Sequence, residues 1–292
     1  MSPTRTAASV APRRLGWRGC IAPAVPPTLI LAAFLLYPLG LMAASAFRGA
    51  AGGLSLAPAL RMLSSRLFAD ALAHTLQIAL TATVLCLLLG FLLALLFNLA
   101  PFGGALALGR VVDTYLAFPS FLIALSLTFL YGNTGLVTAI VSEVFGEERH
   151  AASFLYGFWG VVLAEVTFYT PFVLRPLLAG FQSIDTAQLE VASSLGARMP
   201  GILRRIVLPE LLPSLLAGGS LCLLLTVNEF GIMLVMGAKN VITLPVLIYG
   251  EAIQQFDYTG ASVVALADIM LSLGLFALYR FSLARLGRGV SA

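Results

Sequence analysis

Long apolar runs separated by short polar stretches are the feature that most restricts the fold of this sequence. Only 10% of the 292 residues are charged and 60% are hydrophobic, whereas a soluble domain carries about 25% charged residues. A membrane-spanning helix needs about 20 consecutive apolar residues. The runs that reach this length are residues 21–47, 71–99, 106–131, 154–179, 213–236 and 261–283. The sequence therefore predicts an all-α, polytopic transmembrane helical bundle with six spans.

The first twenty residues differ from the rest of the chain. They include Arg5, Arg13, Arg14 and Arg18 but no acid. The apolar run that follows is too long for a secretory signal peptide, and its end lacks a small-x-small cleavage site. We therefore expect a polar tail over residues 1–20, followed by one membrane domain over residues 21–292.

The arginines predict the orientation of the chain in the membrane. Six spans place both termini on the same side. Twelve of the seventeen basic residues lie in the tail, at Arg110, in residues 175–205 and after Tyr279. Because loops rich in Arg and Lys stay in the cytoplasm, both termini and the central polar stretch are expected there. The net charge of +4 then reflects membrane orientation, and we expect no nucleic-acid partner.

Prolines and polar stretches refine the predicted spans. Pro119 is expected to bend the third span. Residues 132–153 look too polar to cross the membrane, and residues 241–258 predict a hairpin at the surface or a short interfacial helix.

The central loop, residues 181–212, is the longest polar interruption and predicts two short helices. Asp185 and Gln188 are typical of a helix start, so a first helix is expected from Thr186 to about Leu195. Gly196 is expected to end it in a left-handed conformation.

A second helix is predicted after Pro200, ending at Pro209 and Pro213. Its apolar face comprises Ile202, Leu203, Ile206 and Val207, with Gly201, Arg204 and Arg205 opposite. From the residues alone, the central loop is either a knob that docks on another protein or a plain connector.

The spacing of six residues in the central loop carries a resemblance to a known family. These residues are Glu190, Ala192, Gly196, Ile206, Leu208 and Pro209. The pattern resembles the cytoplasmic loop motif of the membrane permeases of bacterial ABC importers served by a binding protein, although Val191 stands where that family most often has Ala. The resemblance implies the type I (MetI-like) permease fold. It also implies that this segment, which Asp185 opens, docks into a groove of an ATPase subunit and couples its closure to the pore.

Other stretches resemble permeases of the 2-aminoethylphosphonate importers, among them Phe118-Pro119-Ser120 and Asn228-Glu229-Phe230-Gly231. The resemblance implies a second permease as heterodimer partner, ABC ATPase subunits that bind ATP and Mg, and a periplasmic substrate-binding protein. Residues 132–153 and 239–260 are the candidate docking surface for that protein. A permease for another small anion, such as sulfate or chelated iron, and an ion-coupled secondary transporter are the alternatives.

The sequence contains no motif typical of nucleotide binding, catalysis or metal binding. A P-loop needs Lys before Ser or Thr, but the only lysine, Lys239, is followed by Asn240. We therefore expect no catalytic residue, no cofactor held by this chain and no enzyme activity. His74 and His150 lie far apart in the sequence, which argues against a metal site.

Charged residues inside predicted spans mark a candidate translocation path, because they are costly in lipid and usually face a cavity or a partner. The acids are Glu165, Glu229 and Asp268. With Asn228, Thr167, Tyr169 and Thr226 they are expected to form a polar route for a substrate with an ammonium group, or else to tie helices together.

Four further residues in or beside the predicted spans have expected roles of their own. Arg175 either attracts a phosphonate or extends to the cytoplasmic interface. His74 is expected to be an interfacial polar residue, and Gly218 with Gly219 to permit close helix packing.

Overall fold

The computed structural model of the chain describes residues 17–49, 53–99, 103–132, 135–145, 154–237 and 241–290. Within them every regular element is a helix, and the only β-type pairing is one isolated bridge between Arg48 and Leu54. The helices are α1 (Trp17–Ala46), α2 (Ala57–Leu63), α3 (Arg66–Leu99), α4 (Ala105–Tyr115), α5 (Ser120–Tyr131), α6 (Leu136–Phe145), α7 (Phe158–Phe181), α8 (Thr186–Ser194), α9 (Met199–Ile202), α10 (Leu208–Val227), α11 (Gly231–Met236), α12 (Leu244–Tyr249) and α13 (Tyr258–Val290). π-Helical turns over Leu203–Val207 and Gly250–Gln254 follow α9 and α12.

Six stretches of the described residues are long and apolar enough to cross a membrane, which confirms the predicted number of spans. They are Val25–Ala46, Arg66–Leu99, Ser120–Val141, Phe158–Phe181, Met199–Val227 and Tyr258–Ser282. The chain divides into two compact units, Met1–Ser45 and Ala46–Ala292. In the first unit the described side chains of α1 are nearly all exposed.

The third span differs from the prediction for residues 106–131. Pro119 does not bend a continuous helix but separates α4 from α5, since its backbone is extended, with ψ of 143°. Proline lacks an amide donor and disfavours the helical conformation of the residue before it. The span begins at Ser120 and continues to Val141. The expectation that no residue of the 132–153 loop enters a span is therefore wrong for the apolar start of α6, and residues 146–153 lie outside the described residues.

The fifth span also begins earlier than predicted. Pro209 and Pro213 do not end the second loop helix, because helical structure continues from Met199 to Val227. The π-helical turn explains this, since the Leu208 amide donates to the Leu203 carbonyl, five residues back. This wider turn changes the register immediately before Pro209, whose ring would clash with a carbonyl four residues earlier in a regular α-helix. The helix breaks at Asn228–Phe230 instead, and α11 follows.

Between the fifth and sixth spans the chain forms the short helix α12 rather than a hairpin. Leu244 and Leu247 are buried. The Leu244 amide donates to Thr75 Oγ1 at 2.8 Å, and the half-buried His74 ring contacts the Ile242 backbone. The start of α12 is therefore fixed to the beginning of α3.

The core of the second unit is built where α3, α7 and α10 pack against one another. A Cβ placed on Gly218 would lie 3.1 Å from Val173 Cα, and one on Gly90 would lie 2.9 Å from Val173 Cγ1. A Cβ on Gly219 would approach Leu87 at 3.1 Å. These distances confirm that Gly218 and Gly219 permit close packing, as small residues do between membrane helices.

Replacing Gly218 by Ala should lower the free energy of unfolding, because the new methyl group meets the Val173 backbone, which cannot rotate away. Overpacking of this kind costs about 1–3 kcal/mol. Gly274→Ala is the matched control, since nothing lies within 4 Å of its Cβ position. Thermal unfolding of the detergent-solubilised protein should rank Gly218→Ala below the wild type and Gly274→Ala at or above it. Equal stability of the two variants would contradict the packing role.

Candidate coupling and translocation sites

The central loop forms two exposed helices whose ends are fixed by local hydrogen bonds. Asp185 begins α8, since its Oδ1 accepts the Ala187 amide at 2.9 Å. Gly196 ends it with φ of 82°. The Gly196 amide donates to Ser193 at 2.9 Å and the Ala197 amide to Ala192 at 3.0 Å. This pair of bonds is a Schellman motif, and the predicted helix start, end and glycine conformation are confirmed.

The second loop helix has the predicted apolar and polar faces. Ile202 and Val207 are buried, Leu203 and Ile206 are partly buried, and Arg204 and Arg205 are exposed. Their buried face joins the main core of the bundle. The second loop helix is therefore packed against the membrane domain.

A groove of about 640 Å³ lies between the two loop helices. Its walls include Ala192, Gly196 and Ile206, three positions of the sequence motif. Leu195, another wall residue, is 83% exposed, and Val191 on the first loop helix is also exposed. Glu190, Leu208 and Pro209 lie on the exposed surface as well. Exposed apolar side chains around a groove are typical of a protein-binding surface.

Within the membrane segments, the buried Glu229 carboxylate joins three elements. It accepts hydrogen bonds from Ser120 Oγ at 3.0 Å, from the Ile232 amide at 2.8 Å and from the Tyr169 hydroxyl. These donors belong to the start of α5, the start of α11 and the middle of α7. In the structure Glu229 therefore acts as a tie at the break between α10 and α11.

Glu165 lies near Glu229 but is held differently. Only 1% of its surface is exposed, and its Oε2 has no hydrogen-bond partner among the described residues. Its side chain also lies close to Cys86. A buried carboxylate without a partner is costly, so Glu165 is a candidate for contact with a cationic group.

The other polar residues of the predicted path lie apart from this pair. Asn228 Nδ2 donates to Ser272 Oγ at 3.1 Å and so ties α10 to α13. Asp268, one turn earlier on α13, is buried, and its Oδ1 has no partner in the described part of the chain. Thr167 and Thr226 donate to carbonyls of their own helices. The structure thus brings Tyr169, Glu165 and Glu229 together, and no described contact joins them to Asp268.

Arg175 is paired rather than free at the interface. Its guanidinium forms an ion pair with Asp113 on α4, and both side chains are about half-exposed. Neither predicted role, phosphonate attraction or extension to the interface, included this partner.

Sequence reasoning also missed Ser120, although its position directly after Pro119 is a helix-start signal. Its partner Glu229 lies 109 residues away, and no local signal connects them. Among the described residues no three His, Cys, Asp or Glu side chains are grouped so that they could hold a metal ion.

The described residues thus form six candidate membrane spans and an exposed helix pair with a groove between its helices. Residues 87–291 match the family described as "Binding-protein-dependent transport system inner membrane component". The chain belongs to this family of ABC importer permeases, and it is a multi-pass inner-membrane protein.

Relatives in sequence agree with this assignment, and a solved structure shares the fold. The chain is 49% identical over 261 residues, 89% of this chain and 91% of the relative, to PhnU of Salmonella typhimurium, named as the permease of a 2-aminoethylphosphonate transport system. It is 31% identical over 207 residues, 70% of this chain and 78% of the relative, to cysT of Prototheca wickerhamii, named as a sulfate transport permease. A crystal structure of a bacterial ABC transporter that imports alginate matches its fold with a TM-score of 0.78 at 18% identity, covering 91% of this chain and 95% of that chain.

Replacing Tyr169 by Phe should destabilise the protein, because the buried Glu229 carboxylate loses one donor. The expected loss is about 1–3 kcal/mol. Tyr249→Phe is the control, since its ring packs against Phe230 at 5.3 Å and its hydroxyl has no partner among the described residues. Thermal unfolding in detergent compares the two. A loss for Tyr249→Phe as large as that for Tyr169→Phe would contradict the role of Glu229 as a tie.

Proposed function

We propose that this chain is the permease subunit through which a bacterial ABC importer carries 2-aminoethylphosphonate across the inner membrane. The observation that carries the proposal is the identity of 49% to PhnU over nine-tenths of both chains. The sulfate permease shares only 31% identity over a shorter length, so sulfate is the less favoured substrate.

The partners follow from the same assignment. The family is defined by dependence on a binding protein, which would deliver the substrate from the periplasm. Separate ATPase subunits would bind ATP and Mg, and a second permease would complete the pore as a heterodimer. The arginine distribution supports cytoplasmic termini and a cytoplasmic central loop. The chain itself would hold no nucleotide.

The central loop is the proposed contact with the ATPase. Its groove and the exposed Leu195 would dock on that subunit, with Glu190 on the same exposed helix. Because helical structure runs unbroken from Met199 to Val227, a displacement of the groove would move the far end of the fifth span. That end is the break at Asn228–Phe230, where Glu229 holds α5 and α7. Closure of the ATPase subunits on ATP would thus move the helices around Glu229 through the continuous stretch Met199–Val227.

The predicted path through Glu165, Asn228, Glu229 and Asp268 remains part of the proposal. Glu165 and Asp268 each have a carboxylate oxygen without a partner in the described part of the chain. Either carboxylate would suit the ammonium group of the substrate. Asn228 and Glu229 would shape the path by holding its helices.

Uptake by the complete transporter in proteoliposomes tests the substrate and the energy source together. We expect labelled 2-aminoethylphosphonate to accumulate when ATP and the loaded binding protein are supplied, and labelled sulfate not to accumulate. Uptake driven by a proton gradient in vesicles without the ATPase subunits would refute the ABC mechanism. Uptake of sulfate in place of the phosphonate would refute the substrate assignment.

Gly196→Ala should uncouple ATP hydrolysis from transport, because Ala is strained at a φ of 82° and the end of α8 would shift. Gly196→Asn is the matched control, since Asn tolerates the left-handed conformation better. The measurement is substrate imported per ATP hydrolysed. We expect a severalfold fall for Gly196→Ala, a smaller one for Gly196→Asn, and a fall for Glu190→Ala as well. A changed preference between phosphonates would count against a role limited to coupling.

A further inference from the structure

An acidic pocket lies where α2 meets the start of α13. The two elements pack closely, since a Cβ on Gly260 would lie 2.7 Å from Met62 Cε. The pocket between them has a volume of about 250 Å³. Polar side chains in its walls are Arg61, Ser65, Glu251, Gln255, Asp257 and Thr259. No previous step of the proposed transport mechanism uses this pocket.

Phe256, beside the pocket, has an unfavourable backbone and an exposed ring. It is the only non-glycine residue with positive φ in the described part of the chain, at 56°. Bulky L-residues rarely adopt that conformation. Its side chain is 70% exposed, and Leu60 and Tyr258 are exposed on the same end of the bundle. Neither backbone geometry nor burial explains a phenylalanine here, whereas contact with a partner would, because strained and exposed apolar residues concentrate at binding sites.

Glu251 and Asp257 give the pocket its acidic character. The Glu251 side chain is 4% exposed, and its Oε1 accepts a hydrogen bond from Gln255 Nε2 at 3.1 Å. Burial, and next the nearby Asp257 carboxylate, raise the pKa of Glu251. Asp257 Oδ1 accepts the Gly260 amide at 2.9 Å. Arg61 forms no ion pair with either acid among the described residues, so the two carboxylates remain available to an incoming basic group.

We propose that Phe256 and the Glu251 pocket form a docking site for the periplasmic substrate-binding protein, which inserts a Lys or Arg side chain into the pocket while Phe256 packs against its surface. The charge of the pocket selects a basic side chain, and the exposed aromatic ring supplies the apolar anchor common at such interfaces. The inference rests on the proposed function, since cytoplasmic termini place the loops after the first and fifth spans outside the cell. Of the predicted docking surface, residues 239–260, the proposal uses only the turn from Glu251 to Asp257, and it adds α2 to the surface.

The test uses the complete transporter, with its second permease and ATPase subunits, in nanodiscs. The ATPase rate is measured against the concentration of the 2-aminoethylphosphonate-loaded binding protein. Phe256→Gly and Glu251→Gln should each raise the half-saturating concentration about tenfold, as expected for loss of an anchor residue. At saturating binding protein, the ATPase rate of both variants should equal that of the wild type. Phe256→Gly should unfold at the same temperature as the wild type or higher, because glycine relieves the positive φ.

Gln254→Ala is the matched control, because Gln254 is exposed on the same π-helical turn and does not line the pocket. Its half-saturating concentration should stay within about twofold of the wild type, well below the change expected for an anchor. Unchanged half-saturation in both Phe256→Gly and Glu251→Gln would overturn the docking site, as would a weaker response accompanied by a lower unfolding temperature in both. A wild-type complex that no loaded binding protein stimulates would instead refute the proposed function.

Discussion

The Glu229 carboxylate accepts hydrogen bonds from three elements inside the membrane: Ser120 on α5, Tyr169 on α7 and the Ile232 amide on α11. Lipid offers no partner to a backbone amide at a helix break, so the protein itself must supply one. The break after α10 is possible because Glu229 satisfies the start of α11. The same carboxylate holds the start of α5, which Pro119 separates from α4. The arrangement of the interrupted helices therefore depends on this one side chain.

The unbroken helical stretch Met199–Val227 connects this interior tie to the exposed central loop. A regular α-helix would be disrupted at Pro209, and the π-helical turn Leu203–Val207 avoids that disruption. Gly218 lets the stretch lie directly against the backbone of α7 at Val173. One element thus carries the proposed ATPase-docking groove at its start and ends at the residues that hold α5 and α7. The stretch Met199–Val227 would therefore transmit a movement at the groove directly to the helices held by Glu229.

Local signals in the sequence predicted the parts of the structure that depend on local bonds. Asp185 and Gly196 mark the ends of α8 because capping and positive φ are properties of a few neighbouring residues. The six apolar runs predicted six spans because their length alone decides that they cross a membrane. The predictions failed at Pro119, which separates two helices instead of bending one. They also failed at Pro209 and Pro213, where the helix continues through both prolines and a π-helical turn precedes the first. They also missed the bonds of Glu229 and Arg175, since both join residues far apart in the sequence.

The central claim is that the stretch Met199–Val227 moves as one rigid helix. Distances between spin labels in the transporter test it most directly. Labels at the exposed residues Arg204 and Leu221 measure a distance within this helix. A label at the exposed Leu88 on α3 measures the position of the helix relative to its neighbour. Trapping the ATPase subunits closed with ATP and vanadate should leave the Arg204–Leu221 distance unchanged and shift the Leu221–Leu88 distance. A changed Arg204–Leu221 distance with a constant Leu221–Leu88 distance would show that the helix bends, and would contradict the claim.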